Sequence, residues 1–339
     1  MVADIKKFVK EIPKGENHYH IDCISPELTW KFTVRNNLNM PFKSLEETKK
    51  FYQYDNLDAF INILLQAIAT IRTRDDFRDM VIDCAQDMKA QNIIYREAMF
   101  DYTACYGSRG ISLDEMMEGF IEGLAVVKET YGVDIRFIAN LDRTSSAKEN
   151  FSFLKELISY REKLPLVAVG LDMQEIGYPA HEQEEIFAYA KANGFYLTAH
   201  AGEDEGAESV IDALDSLRLD RIDHGVRAAE DEKLLQRLAR EKILLTLCPD
   251  SNIKLGVYPS WEDFPILKLL EAGCIVSINS DDPPCFPRNL TGNLTKLAET
   301  FGFGKREIGQ FILNSFKYNF CGQEHIQTVE TWLNNRGVL

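Results

Sequence analysis

The chain has 339 residues, of which 45% are hydrophobic, and its formal net charge is −15. An acidic balance of this size argues against nucleic acid or an anionic membrane surface as a partner, because both are themselves negatively charged. The sequence has no run of 18 apolar residues and no early apolar stretch of signal-peptide length, so we expect neither a membrane span nor a secretion signal.

Short apolar runs recur along the chain and alternate with helix-like sequence. Eight runs predict strands, at residues 17–22, 93–100, 135–141, 166–171, 195–200, 221–224, 243–248 and 274–278. Helical patterns follow most of them, for example at 113–130, 151–160, 183–193 and 231–240. This alternation indicates parallel βαβ units, and eight units predict a closed (β/α)8 TIM barrel with its active site at the carboxyl ends of the strands.

The stretch between the first two predicted strands, about residues 25–90, is too long for one crossover helix. It predicts extra helices there, with aromatic and aliphatic groups such as Phe51-Tyr52 and Phe60-Ile61. A lid over the barrel mouth and an ordinary helical insertion are both consistent with this pattern.

Nothing in the composition marks a second domain, a linker or a repeat, so we expect one catalytic domain over residues 1–339. Seven scattered cysteines without a CxxC pair predict reduced thiols in a cytoplasmic protein. The sequence predicts no oligomeric state.

Four of the six histidines lie at predicted strand ends. His18 and His20 are two residues apart, and alternate residues of a strand face the same side. His200 ends the fifth predicted strand, and Asp281 follows the eighth. Three imidazoles and one carboxylate suit zinc, with a position left for water, so we predict one Zn²⁺ bound by His18, His20, His200 and Asp281.

Zinc lowers the pKa of its bound water to about 7, which supplies hydroxide at neutral pH. His224, at the end of the sixth predicted strand, is the expected base, and Asp281 can hold the water as well as the metal. Glu203, in the tight turn His200-Ala201-Gly202-Glu203, is the expected proton donor. From these residues alone, hydrolysis of amide, phosphoester and amidine-type centres all remain open.

Six segments occur in an order that resembles the adenosine/adenine deaminase family of the amidohydrolase superfamily, across roughly residues 11–320. They are Ile12-Pro13-Lys14 with His18-Tyr19-His20-Ile21-Asp22, Gly170-Leu171-Asp172, His200-Ala201-Gly202-Glu203, Asp223-His224-Gly225, Leu247-Cys248-Pro249 with Ser251-Asn252, and Asn279-Ser280-Asp281-Asp282-Pro283. The resemblance implies deamination of a 6-aminopurine: Glu203 would protonate N1, His224 would handle the water proton, and Asp282 would bond at N7. It also implies substrate contacts in the Gly170 segment and at Asp22.

The choice between base and nucleoside depends on residues near the predicted pocket. The stretch Asp172-Met173-Gln174-Glu175 lacks the glycine found in members that act on adenosine and is similar to the adenine branch. We expect Glu175 to accept the N–H of free adenine, since a nucleoside would leave that buried charge unpaired. Asp22 is similar instead to the adenosine branch. Adenine is therefore the expected substrate, and adenosine or a modified aminopurine is the alternative.

Two other classes compete with this interpretation. A different amidohydrolase could cleave an amide or a phosphoester, but no lysine that could be carbamylated ends a predicted middle strand. A non-catalytic relative would be expected to lack Glu203 or His224, and both residues are present.

Overall fold

The computed structural model describes the main chain of residues 2–54 and 57–339, and the side chains of residues 4–54 and 62–339. Its eight strands are β1 Lys14–His20, β2 Ile93–Asp101, β3 Asp134–Asp142, β4 Leu166–Asp172, β5 Tyr196–Ala201, β6 Arg221–His224, β7 Leu244–Leu247 and β8 Ile275–Ile278. Each strand pairs in parallel with the next, in the order β1 to β8. The chain folds as a nearly closed (β/α)8 TIM barrel, which confirms the predicted fold.

Helices separate the strands and form the outer layer. The α-helices of the described chain are α1 Val2–Glu11, α2 Pro26–Arg35, α3 Leu45–Phe51, α4 Leu57–Ile68, α5 Arg74–Gln91, α6 Tyr102–Cys105, α7 Leu113–Thr130, α8 Ala147–Leu157, α9 Glu184–Ala192, α10 Ala207–Leu217, α11 Glu232–Glu241, α12 Pro249–Lys254, α13 Ile266–Glu271, α14 Leu290–Phe301, α15 Lys305–Lys317 and α16 Ile326–Asn334. Short 3₁₀ helices lie at Gly107–Arg109, Ile158–Tyr160, Ala180–Gln183, Val226–Glu230 and Gln323–His325. Among these described helices, none has the length and apolar character needed to cross a membrane.

Strand β1 differs from its prediction, since it runs from Lys14 to His20 and ends before Asp22. Its first half is polar but buried inside the fold. The Lys14 Nζ donates to the carbonyls of Val9 and Ile12 at 2.8 and 3.0 Å, and Glu16 forms an ion pair with the buried Arg96 at 2.6 Å. Because these charges have partners inside the fold, a segment without apolar alternation still forms a strand.

The barrel closes between β8 and β1 through Asp281. Its main-chain N–H donates to the carbonyl of His18 at 3.3 Å, and its carbonyl accepts from the N–H of His20 at 3.0 Å. Asp281 also forms an isolated parallel bridge with Tyr19. Closure therefore places the Asp281 side chain beside the two histidines of β1.

Strands β4 and β5 separate towards the barrel mouth, because only Ala168–Tyr196 and Val169–Leu197 pair across them. Beyond these two pairs, side chains form hydrogen bonds to main-chain groups that have no partner on the neighbouring strand. Arg143 donates to the carbonyl of Asp172 at 3.0 Å and to that of His200. This opening gives residues after β4 and β5 access to one another at the mouth.

Helices α2 to α5 confirm the predicted extra helices between the first two strands. Pro26 starts α2, where a missing N–H costs nothing, and the Ser25 side chain accepts the Leu28 N–H at 3.2 Å. The buried Tyr52 hydroxyl donates to the carbonyl of Ile24 at 2.7 Å, which fixes this insertion against the end of β1. The side chains of Phe60 and Ile61 lie outside the described residues.

Candidate active site

The four predicted metal ligands converge at the mouth of the barrel. One ligand atom from each of His18, His20, His200 and Asp281 lies within 4.8 Å of the others. The Nε2 atom of His20 is 3.2 Å from that of His200 and 3.5 Å from the Asp281 Oδ1. The His18 Nε2 is 3.1 Å from the same oxygen. Residues separated by more than 250 positions thus present their ligand atoms to one point.

In His18 and His200, hydrogen bonds made by Nδ1 leave Nε2 as the nitrogen that faces the shared point. The Nδ1–H of His200 donates to the carbonyl of Leu171 at 3.2 Å, because a carbonyl can only accept. The Thr246 hydroxyl donates its single proton to Asp223 at 2.9 Å, so the Nδ1–H of His18 donates to Thr246 at 3.0 Å. Both imidazoles are left with Nε2 as a free lone pair, the form that binds a metal.

The charges at this point favour a cation. Burial would raise the pKa of Asp281, but the surrounding imidazoles of His18, His224 and His20 hold that pKa well below its usual range. Burial lowers the pKa of His200 well below its usual value, which keeps it neutral. Burial opposes a charge on His20, yet Asp282, Asp101 and Asp281 together raise its pKa well above the usual value. Carboxylates that favour a proton on His20 equally favour a metal ion.

The donor set therefore fits a divalent metal such as zinc, which prefers imidazole and carboxylate ligands in fourfold coordination. An overlapping group of His18, His224, Cys248 and Asp281 also lies within 4.8 Å. Burial raises the pKa of the Cys248 thiol well above its usual value, so this cysteine is a poorer ligand than His200.

Glu203 and His224 form a second pair beside the metal ligands. The Glu203 Oε2 is 3.3 Å from the His224 Nε2, and the Asn252 amide donates to the Glu203 Oε1 at 2.9 Å. Burial, with Asp281 and other nearby carboxylates, raises the pKa of Glu203 well above its usual value. Burial lowers the pKa of His224 to about 3. At neutral pH the pair offers a protonated carboxyl and a neutral imidazole, which are an acid and a base.

Two residues of the site, His224 and Asp281, have a strained backbone conformation. His224 and Asp281 have φ of 60° and 64°, in the left-handed region that residues other than glycine rarely adopt. His224 is the last residue of β6, and Asp281 follows β8 and closes the barrel through its main chain. Such conformations cost about 1–3 kcal/mol each and persist only where the surroundings impose them.

Asp282 lies next to the ligand Asp281. Burial and the neighbouring Asp281 raise its pKa to about 8, so its carboxyl is mainly protonated at neutral pH. A protonated carboxyl can donate a hydrogen bond.

The other predicted substrate residues have partners within the protein. The buried Asp22 accepts from the main-chain N–H of Asp101 at 2.8 Å and from the hydroxyl of Tyr106. Gly170 packs against Asn140, whose Oδ1 lies 2.1 Å from where a Cβ would stand. The buried Glu175 accepts main-chain N–H groups from residues 203–205. The predicted contacts of these three residues with substrate stay predictions.

Several residues that hold the site in place carry no signal in the sequence. Thr246 sits in an apolar strand, where a lone threonine is ordinary, and Arg143 and Glu16 belong to no segment with a recognisable pattern. Glu16 accepts the N–H and the hydroxyl of Ser280, the residue before Asp281. Asn252 stood within the segment after Cys248-Pro249, which was the one available signal for it.

Comparison with known proteins gives consistent matches. The family model described as adenosine deaminase matches residues 13–332. A protein named adenine deaminase from Wolinella succinogenes is 35% identical over 321 residues, covering 94% of this chain and 96% of its own. A crystal structure of adenine deaminase from Arthrobacter aurescens has a TM-score of 0.89 at 31% identity, over 95% of this chain and 99% of that one. A Zn-bound amidohydrolase from Burkholderia ambifaria, with a TM-score of 0.86 at 22% identity over 99% of this chain and 96% of that one, shares the fold.

Proposed function

The chain belongs to the adenosine deaminase family, and we propose that it hydrolyses free adenine to hypoxanthine and ammonia. The observation that carries this proposal is the placement of one acid and one base beside four convergent metal ligands. The relatives named adenine deaminase, which match almost the whole chain, support the choice of adenine.

The proposed cofactor is one Zn²⁺ per chain, held by His18, His20, His200 and Asp281. When bound there, it would lower the pKa of a water molecule towards 7 and so supply hydroxide at neutral pH. The Asp281 carboxylate, which stays ionised, orients that water as well as serving as a ligand.

Glu203 is the proposed acid. Its protonated carboxyl donates to N1 of the purine, which withdraws electrons from C6 and makes that carbon open to attack. Asn252 donates to the Glu203 Oε1 at 2.9 Å, so the proton is favoured on Oε2, the oxygen nearer His224.

His224 is the proposed base. Its neutral Nε2 takes a proton from the attacking water and later passes it to the departing amino group, which leaves as ammonia. The overall change consumes one water and one adenine and yields one hypoxanthine and one ammonia, with no redox step.

Asp282 is the proposed contact at N7, where its protonated carboxyl donates to the ring nitrogen. Asp22 and Gly170 are proposed to line the base pocket. Asp22 does so together with Asp101, and Gly170 together with Asn140, the residues that they contact. Asp22 is held in place by the Asp101 N–H and the Tyr106 hydroxyl, one on each of its oxygens.

An ultraviolet assay tests the proposal. The zinc-loaded protein should shift the spectrum of adenine to that of hypoxanthine, and should leave adenosine essentially unchanged. Changing Glu203→Gln should lower kcat by about 10³-fold, within the range for loss of a general acid, while zinc content stays at one per chain. The exposed Glu182, away from this loop, provides the control Glu182→Gln, which should keep full activity. No spectral change with any aminopurine, or full turnover by Glu203→Gln, would contradict the proposal.

A further inference from the structure

The carboxylate of Glu175 holds the loop that carries Glu203. Its Oε2 accepts the main-chain N–H groups of Glu203, Asp204 and Glu205 at 3.2, 2.9 and 2.8 Å. Its Oε1 accepts from the hydroxyl of Ser209, in α10, at 3.3 Å. Three consecutive N–H groups pointing at one oxygen form a concave anion site made by the main chain.

Apart from Glu175, this loop is held through its carbonyls: that of Gly202 accepts the Arg227 N–H at 3.0 Å, and that of Asp204 accepts from the Arg227 side chain at 2.8 Å. It leaves β5 at Gly202, whose φ is +67°, beyond the point where β4 and β5 stop pairing. Without Glu175, three consecutive N–H groups would lose their acceptor. The left-handed Met173, with φ of 66°, turns the chain after β4 and brings Glu175 to these groups.

Arg143 fixes the other end of the same loop. The buried guanidinium donates to the carbonyl of His200 and, at 3.0 Å, to that of Asp172. Burial raises the pKa of Glu175, and the loop N–H groups and the charge of Arg143 oppose that shift. Arg143 and Glu175 thus hold the two ends of the segment from proposed metal ligand to proposed acid, His200 to Glu203.

We propose that Glu175 is a positioning residue: it sets the place of the Glu203 carboxyl relative to the purine N1 and does not contact the base. This inference rests on the proposed function, since it assumes the acid role of Glu203. It also replaces the sequence-based expectation that Glu175 accepts an N–H of adenine. Four protein donors already occupy its two oxygens, and Oε2 alone has more donors than lone pairs.

The two roles predict different kinetics. A positioning residue acts on the reacting geometry, so its loss lowers kcat and leaves KM for adenine nearly unchanged, because a displacement of about 1 Å can cost about 10²-fold in rate. A residue that accepts the N9–H of adenine would instead raise KM when removed. It would also reduce the preference for adenine over 9-methyladenine, which has no N9–H.

The test compares zinc-loaded Glu175→Ala and Glu175→Gln with the wild type. We expect kcat for adenine to fall about 100-fold in the alanine variant, with KM changed less than about threefold. The glutamine variant should fall only about 10-fold, because its amide oxygen can still accept the three N–H groups. Preference over 9-methyladenine should stay unchanged in both. The exposed Glu182 gives the matched control Glu182→Gln, which should behave as wild type.

Hydrogen exchange of residues 201–206 is the readout that does not depend on turnover. These amides should exchange faster in Glu175→Ala, and less so in Glu175→Gln, while amides of β1 and β8 stay protected. Unchanged exchange and unchanged kcat, or a raised KM with lost discrimination against 9-methyladenine, would overturn the positioning role. If the wild type fails to deaminate adenine, the proposed function fails, and loop exchange alone still decides whether Glu175 holds the loop.

Discussion

At the scale of single residues, similar side chains in the site have different protonation states because their surroundings differ. Asp281 and Asp282 are neighbours, yet the imidazoles keep the first ionised while burial beside it raises the pKa of the second to about 8. One carboxylate is thereby suited to a metal, and the next carboxyl is suited to donate to a ring nitrogen.

A pH profile tests the role of Asp282. In the proposed role the protonated form donates to N7, so that contact would be present below about pH 8 and lost as the pH rises through this value. We expect kcat/KM of the wild type to fall above about pH 8. Asp282→Asn should keep a donor at every pH, so the fall at about pH 8 that we assign to Asp282 should be absent from its profile. Superimposable profiles of the two proteins from pH 5 to 10 would show that Asp282 does not titrate as a donor.

At the scale of elements, the turn after β5 decides where the acid lies. Gly202 has φ of +67°, and a Cβ there would stand 2.5 Å from Cγ2 of Val210 in α10. An alanine would therefore be strained by its φ and would push the turn away from α10, since Val210 is fully buried and cannot move aside. The glycine allows Glu203 to follow His200 closely.

Replacing Gly202 by alanine should therefore lower stability by about 2–4 kcal/mol, from left-handed strain and overpacking together. It should also lower kcat about tenfold or more. Gly302, which follows α14 as its C-cap, has φ of +71°, and nothing lies within 4 Å of the place that a Cβ would take. Gly302→Ala should lose only about 1 kcal/mol and keep full kcat. Urea unfolding and steady-state kinetics measure both effects; equal kcat values for the two variants would argue against a steric constraint at Gly202.

Element by element, the sequence predicts what has an apolar or motif signal. The apolar runs predict the eight strands, and the long stretch at about residues 25–90 predicts the extra helices. The strand-end histidines and the ordered segments predict the candidate metal ligands. The start of β1 was missed because Lys14 and Glu16 are buried with partners that lie far away in sequence. The environment of Glu175 was missed for a similar reason: its partners are main-chain groups, and no side-chain pattern reveals where a loop turns its N–H groups.

At the scale of the whole molecule, one residue both closes the barrel and joins the proposed metal site. The main chain of Asp281 completes the sheet between β8 and β1, and its side chain completes the ligand set with His18 and His20. A metal ion at this point would therefore join the first, fifth and last strand regions.

Diffraction at the zinc absorption edge from crystals grown with hypoxanthine tests this account most directly. We predict one anomalous peak at about 2.0–2.2 Å from Nε2 of His18, His20 and His200 and from an oxygen of Asp281. The base should lie with N1 within hydrogen-bond distance of Glu203, and with Glu175 still bound to the loop. A peak away from these ligands, or a base that faces Glu175 and not Glu203, would contradict the account.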